Sequence, residues 1–263
     1  MNKTVFVTLT DSSYFLKAKR TIEELREKGK WEGDIVLLAV DFSPEPIQNV
    51  MCRKIKHINH QHLFNTWEKN PIRKMDDNRH HGKVYQWDKL QVFDSFFTFW
   101  DRVIFIDAGM RICDSVHHLL HLDYKNSFLA PDDSDPYDNG NRLRCQFDWD
   151  ANPHVTEKLL NTFKIDLLQQ KYFLNCIFLF DTKLISELNP KEKMLEWMNE
   201  YPISLCNEMG IMNLFFTTKQ MIWKPFPQRV SDNSKYLFGW SELNYKEKPD
   251  WKQFCFLKYS STF

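Results

Sequence analysis

Val103-Ile104-Phe105-Ile106-Asp107-Ala108-Gly109 is the stretch on which the fold turns. A continuously apolar, β-branched and aromatic run reads as a strand buried on both faces. It stops at a carboxylate followed by Ala108 and Gly109. In open parallel sheets, ligands sit in the crevice beyond the carboxyl ends of the strands. A buried strand that ends in Asp therefore sets an acid on a cleft floor. Such an acid either holds a divalent cation that neutralises a diphosphate or caps the next short helix. The pattern alone weighs the two evenly.

Upstream, Thr4-Val5-Phe6-Val7-Thr8-Leu9-Thr10 reads as a buried strand, and Asp11-Ser12-Ser13 supplies helix-capping residues. Phe15, Ala18, Ile22 and Leu25 recur at helical spacing, and Gly29 sits where a C-cap belongs. Asp34 to Val40 is a second buried strand. This β-α-β order predicts parallel strands joined by a right-handed crossover. A third strand is expected at Lys54 to Asn59, then a polar, histidine-rich stretch. Val84 to Trp100 reads as one long helix with Leu90, Phe93, Phe97 and Trp100 on one face.

Downstream, Ser127 to Pro131 predicts a short strand, and residues 132–171 read as polar and irregular. Tyr172 to Phe180 predicts a buried strand broken by Asn175. Helices are expected over 191–200 and 207–217, and late strands at Ile222 to Pro227 and Phe254 to Tyr259. With no repeats or low-complexity linkers, residues 1–263 read as a single α/β domain of two lobes.

The 263 residues suffice for a large core without disulfides or metals. Lys+Arg and Asp+Glu both total 35, so the basic excess usual for a nucleic-acid binder is absent. The 22 Phe read mainly as core; the 9 Trp stay open between core and a ring-lined cleft. Cys52, Cys113, Cys145, Cys176, Cys206 and Cys255 form no CxxC pair and fit a reducing compartment. There is neither a signal-peptide core nor an apolar run near ~20 residues. The expectation is a cytoplasmic protein without a membrane span. His57-Ile58-Asn59-His60-Gln61-His62 and His80-His81 match no standard zinc spacing. The acidic stretch 132–150 lacks a glycine where a calcium loop needs it.

Several of these segments together resemble the glycogenin-like family of retaining UDP-sugar glycosyltransferases. The opening strand followed by Tyr14 resembles that family's first strand. Lys89-Leu90, one helix before Val103 to Ala108, resembles its Lys-Leu and strand-ending Asp-Ala-Asp. Ala130-Pro131-Asp132 resembles its Ala-Pro-Asp, and Phe173 to Phe178 its Phe-Asn-Ser-Gly-Val-Phe. Glu208-Met209-Gly210-Ile211-Met212-Asn213 resembles its Asp-Gln-Gly-Ile-Leu-Asn, and Phe254 to Leu257 its closing Val-His-Phe-Leu.

The resemblance implies a GT-A, Rossmann-like fold: a mostly parallel sheet flanked by helices, with a smaller acceptor-side lobe. Residues 1–110 would be the nucleotide-binding half and 111–263 the acceptor-binding half, with an inserted loop at about 132–171 acting as an acceptor lid. Leu9, Thr10 and Tyr14 would cradle uracil and ribose. Lys89 would balance diphosphate or sugar charge, with Arg79 assisting. Ala108 would lie along the donor, and Asp132 and Asn175 would meet sugar hydroxyls. Asp107 would hold Mn²⁺ or Mg²⁺. The implied partners are a UDP-sugar and a glycan or protein acceptor; a homodimer is allowed.

Three positions depart from the family. Gly109 replaces the second Asp, Cys255 matches the metal-binding His, and Glu208 matches the acid beside the sugar. Two of three metal ligands are thereby missing, and a thiol suits Mg²⁺ or Mn²⁺ poorly. A unit charge pair at ~4 Å is worth about 4 kcal/mol at an effective dielectric near 20. Lys89, Arg111 or Lys258 could therefore neutralise a diphosphate, and the expectation is weak or dispensable metal dependence. The competing expectation is an inert nucleotide-sugar-binding or scaffold protein on the same fold.

Overall fold

The structure, a computed structural model, describes residues 3–58, 84–134, 140–163, 166, 169–230, 235–240 and 251–258. Strands β1 (Thr4–Thr10), β2 (Asp34–Val40), β3 (Met51–Ile55), β4 (Arg102–Ile106), β6 (Phe128–Ala130), β7 (Ile177–Asp181) and β8 (Trp223–Pro225) form one sheet in the order β3-β2-β1-β4-β7-β6-β8. β3, β2, β1 and β4 run parallel, β7 is antiparallel to both β4 and β6, and β8 is parallel to β6. The mostly parallel sheet is as expected.

β1 leads through helix α1 (Phe15–Glu27) to β2 on one side and has β4 on the other. Chain direction thus diverges between β1 and β4, and their carboxyl ends flank a switch-point crevice. A smaller sheet pairs β5 (Arg111–Ile112), which follows β4 directly in sequence, with β10 (Phe254–Lys258), itself paired to β9 (Tyr236–Trp240), and so brings β10 back towards the end of β4.

The period-two pattern of the strands divides the core into two layers. Val5, Val7, Val36, Leu38, Val103, Phe105, Phe178 and Phe180 pack on one face. Phe6, Ile35, Leu37, Ile104, Ile106, Ile177 and Leu179 pack on the other. Phe93 fits among Phe128, Phe178, Phe180 and Phe216, with ring centroids 4.8–6.5 Å apart. Each fully buried ring stabilises the fold by about 2–3 kcal/mol.

Several expected elements change. The long helix at Val84 to Trp100 is two 3₁₀ helices, Val84–Phe93 and Ser95–Phe99, parted at Asp94. Asp94 is extended (φ −68°, ψ 147°), and its carboxylate accepts from Phe96 N and pairs with Lys191 at 2.7 Å. The side chain competes with the helix for its backbone donors. Trp87, Leu90 and Phe93 are all buried at a spacing of three, the 3₁₀ period. The third strand starts earlier than expected, at Met51, because it pairs with Val36 to Val40.

The strand expected from Tyr172 begins only at Ile177. Before it, Phe173 makes a single bridge to Asp132. The helix at 207–217 becomes α-helical over Glu208–Asn213 and π-helical over Leu214–Lys219. Residues 132–171 are not irregular throughout: a 3₁₀ turn spans Leu143–Gln146 and helix Pro153–Phe163 follows. Leu143, Phe147 and Leu159 are fully buried in the main core. The described parts of this segment are built into the domain, so its deletion would open the core rather than remove a free lid. Among the described residues no helix is long and apolar enough to cross a membrane.

Candidate active site

Five side chains singled out in the sequence converge beyond the carboxyl end of β4. Lys89 comes from the first 3₁₀ helix, Asp107 from the end of β4, and Asn175 from the approach to β7. Glu208 opens the helix Glu208–Asn213, and Lys258 closes β10. Lys89 Nζ lies 3.0 Å from Asp107 Oδ1 and 3.1 Å from Glu208 Oε1. It also donates to the Asn175 carbonyl at 3.1 Å and to Asn175 Oδ1 at 3.3 Å. Lys258 Nζ lies 3.0 Å from Asp107 Oδ2. Asn175 Nδ2 donates to Glu208 Oε1 at 2.8 Å.

Exposure orients the cluster. The side chains of Lys89 and Glu208 are 5% and 2% exposed, whereas those of Asp107 and Lys258 are 22% and 25% exposed. Lys89 and Glu208 form the floor; Asp107 and Lys258 face the solvent side. Glu208 Oε2 is fully buried and has no hydrogen-bond partner among the described residues. An unsatisfied buried carboxyl oxygen is costly and marks either a protonated group or a place for a ligand.

The charges act on each other as the distances require. Burial disfavours the Lys89 ammonium, yet Asp107 and Glu208 outweigh it and hold its pKa above the ordinary lysine value. Burial also opposes the Asp107 carboxylate, but Lys258 and Lys89 hold its pKa below the usual range. For Glu208, burial prevails over Lys89 and Asn175 and raises the pKa. Burial pushes the neighbouring Cys176 thiol up to about 12. Whenever Glu208 keeps its proton, two ammonium groups face one carboxylate and the cluster is cationic.

The donor set at Asp107 does not fit a divalent ion. Two ammonium groups, one on each carboxylate oxygen, hold positive charge where a dication would have to sit, and Asp107 belongs to no group of three His, Cys, Asp or Glu ligand atoms among the described residues. Residue 109 is glycine at φ +92°, a conformation that L side chains rarely adopt. Cys255, matched in sequence to the metal-binding His, is directed elsewhere: its sulfur lies with Asp114 and His118. This cluster is the sole group of three or more His, Cys, Asp or Glu ligand atoms among the described residues that could hold a metal. Arg111 is also corrected: its guanidinium reaches Glu24 Oε1 at 2.5 Å.

The turn after β1 forms the other wall. Asp11 Oδ1 accepts from Tyr14 N at 2.9 Å, the expected capping role, and Thr10 is buried. Leu9 is half-buried against the core. Tyr14 keeps 45% of its surface exposed, with Lys17 Nζ 4.4 Å from its ring centroid. Lys17 also lies along Gly109, and Gly109 N donates to Thr21 Oγ1 at 3.0 Å, bringing α1 against the Asp107-Ala108-Gly109 turn.

Asp132 stays outside the cluster: its carboxylate binds Lys171 at 3.0 Å and Ser134 Oγ at 2.6 Å. Arg79 lies outside the described residues. Lys17 and Cys176 were missed in the sequence. For Lys17 the available signal was its place three residues after Tyr14, one helical neighbour away. A shallow concavity of about 410 Å³ along His154, Glu157, Lys158, Asn161 and Thr162 shares no residue with the Lys89 cluster.

The sequence profile of glycosyl transferase family 8 matches residues 6–232. The chain belongs to glycosyl transferase family 8. That is an enzyme family whose chemistry is glycosyl transfer. No curated protein matches the chain. Among solved structures, galactosyltransferase LgtC in complex with donor and acceptor sugar analogs superposes with a TM-score of 0.58 at 13% identity, over 98% of this chain and 87% of that one. The bifunctional glycosyltransferase WbbM superposes with a TM-score of 0.56 at 17% identity, over 91% of this chain and 40% of that one. GlyE of Streptococcus pneumoniae TIGR4 gives a TM-score of 0.53 at 13% identity, over 87% of this chain and 46% of that one. This chain therefore spans less than half the length of WbbM and GlyE. These likenesses show the GT-A fold.

Proposed function

We propose that this chain moves a sugar from a UDP-sugar to a hydroxyl of a glycan or protein, with retention of anomeric configuration. The observation that carries the reading is the clamping of Asp107 between Lys89 and Lys258 at the β1–β4 crevice. The uracil and ribose lie against Leu9, Thr10 and the open ring of Tyr14. The diphosphate draws Lys258 off Asp107 and is neutralised by the ammonium groups, with no step assigned to a metal. Asn175 and Glu208 orient the sugar from beneath.

The C1–oxygen bond to the diphosphate breaks, and its electron pair leaves on the phosphate. The acceptor oxygen bonds to C1 on the same face, and its proton passes to the departing phosphate oxygen. Glu208 is buried and held by Asn175 Nδ2 at 2.8 Å and Lys89 Nζ at 3.1 Å, which suits a group fixed in place to position the sugar.

The test is to melt the purified chain with UDP-, GDP- and ADP-sugars, in EDTA and in Mn²⁺, and then to assay released UDP and free or transferred sugar. Ligand present at a hundredfold excess over Kd stabilises by about 2.7 kcal/mol. The expected result is a UDP-sugar-specific shift that persists in EDTA, with slow donor hydrolysis. Stabilisation without hydrolysis or transfer to any glycan or protein acceptor would make the chain an inert nucleotide-sugar binder. Activity that vanishes in EDTA and returns only with Mn²⁺ would overturn the lysine reading.

A further inference from the structure

Away from the Asp107 cluster, three side chains of different chemistry meet where the smaller sheet joins the domain body. Asp114 follows β5, His118 lies in the first turn of the short helix His117–Leu120, and Cys255 sits on β10. A carboxylate oxygen, an imidazole nitrogen and a sulfur from these residues all lie within 4.8 Å of one another. Cys255 is fully buried, whereas Asp114 and His118 are partly open, so the group has a dry side and a solvent entrance. The backbone around it is fixed: Cys113 N donates to the Cys255 carbonyl at 2.8 Å, and Phe256 pairs with Ile112. Asp114 is held in place by Ser115 N on Oδ1 at 2.8 Å and by Lys235 Nζ on Oδ2 at 2.5 Å.

We infer that Asp114, His118 and Cys255 form a zinc site that staples β10 to the segment after β5. Sulfur, nitrogen and oxygen in one set suit a borderline-soft ion; Mg²⁺ and Ca²⁺ want oxygen alone. Zn²⁺ takes sulfur at about 2.3 Å and nitrogen or oxygen at about 2.0–2.2 Å in a tetrahedron. Donors in that arrangement are roughly 3.3–3.7 Å apart, so the present group needs a contraction of about 1 Å, within reach of side-chain rotation in His118 towards the Asp114 carboxylate. Asp114 differs from Asp107 in carrying an ammonium on Oδ2 alone; Oδ1 accepts from a neutral backbone N–H and keeps a second lone pair for the ion. Three protein ligands leave the fourth position to water on the open side.

The staple bears on the candidate active site through one strand. Cys255 and Lys258 both lie on β10. A metal at Cys255 fixes the strand that delivers Lys258 to Asp107. The inference does not require glycosyl transfer and is tested without any donor.

The experiment titrates Co²⁺ into chelator-treated full-length protein and records the thiolate-to-cobalt charge-transfer absorption, followed by displacement with Zn²⁺. One equivalent per chain is expected, with a thiolate band that disappears in Cys255→Ser. His118→Ala should weaken binding by at least about tenfold, and Zn²⁺ should raise the Tm of the wild type but not of His118→Ala. Cys52→Ser and Cys206→Ser should leave the band intact. His118 is partly exposed, so its variant is expected to fold and keeps the test decisive if Cys255→Ser does not. Absence of a thiolate band, or equal affinity in His118→Ala, would overturn the site.

Discussion

At the scale of single residues, Lys89 is buried and held by four polar contacts. It is the shared partner of Asp107 and Glu208, and burial makes it irreplaceable by an apolar side chain. Removing one member of a buried ion pair typically costs about 3–5 kcal/mol, because the remaining charge stays uncompensated. Lys89→Met should therefore lower unfolding free energy by about 3 kcal/mol or more, measured by urea denaturation; a loss under about 1 kcal/mol would show the cluster to be solvent-screened. Glu208→Gln keeps the shape and the contact to Asn175 but loses the charge. We expect its kcat to fall about a hundredfold, as for loss of a transition-state electrostatic contact, with donor Kd changed only a few-fold. A wild-type rate would remove Glu208 from the reaction.

The same residues set the pH dependence. The folded pKa of Asp107 is depressed, so its stabilisation is present above its ordinary value of 3.8 and is lost as pH falls through the folded value. Lys89 and Lys258 are raised, so their stabilisation is present below 10.5 and is lost as pH rises through their folded values. Glu208 is raised and acts oppositely to Asp107: it favours the folded state below its ordinary value of 4.5, and that contribution fades as pH rises through its folded value. Denaturant melts should show an acid limb below pH 3.8 that flattens in Asp107→Asn. An unchanged limb would mean that Asp107 is not depressed.

At the scale of elements, two glycines fix how segments meet at the site. Gly109 holds φ +92° beside Lys17, so the turn after β4 is built for glycine rather than for a second acid. Gly109→Asp should cost about 1–2 kcal/mol from the left-handed backbone, and EDTA-sensitive activity should not appear. Gain of Mn²⁺-dependent activity would contradict this. Gly210 lets the helix bearing Glu208 lie against Phe147; an added Cβ would stand 2.6 Å from Ser204 Oγ and 3.3 Å from the Phe147 ring. Gly210→Ala should destabilise by about 1–3 kcal/mol and lower kcat by displacing Glu208. Both would be read from thermal melts and initial rates, and a neutral variant would show that this contact is soft.

At the scale of the whole molecule, formal charge is zero, so on the proposed reading an anionic donor would be drawn by the local lysines and not by a global field. Raising salt from about 0.1 M to about 1 M shortens the screening length from about 10 Å to about 3 Å. Donor affinity measured in EDTA should fall over that range, and Lys258→Gln should show a shallower dependence. Equal slopes by calorimetry would place Lys258 outside the donor site.

The sequence by itself determined the β-α-β opening, the buried strand ending at Asp107, the mostly parallel sheet and five residues of the cluster. Apolar runs, helical spacing and motif order are local signals carried within a few residues. It could not determine that Val84 to Phe99 winds as two 3₁₀ helices, because the Asp94 break is fixed by Lys191 and by aromatic packing far along the chain. Nor could it determine where Cys255 and Lys258 point. That depends on the register of β10 against β5, which turns alternate side chains to opposite faces. The tertiary structure therefore decided that Lys258 closes over Asp107 while Cys255 joins Asp114 and His118: pairing between distant strands, not local composition, assigns each side chain its face.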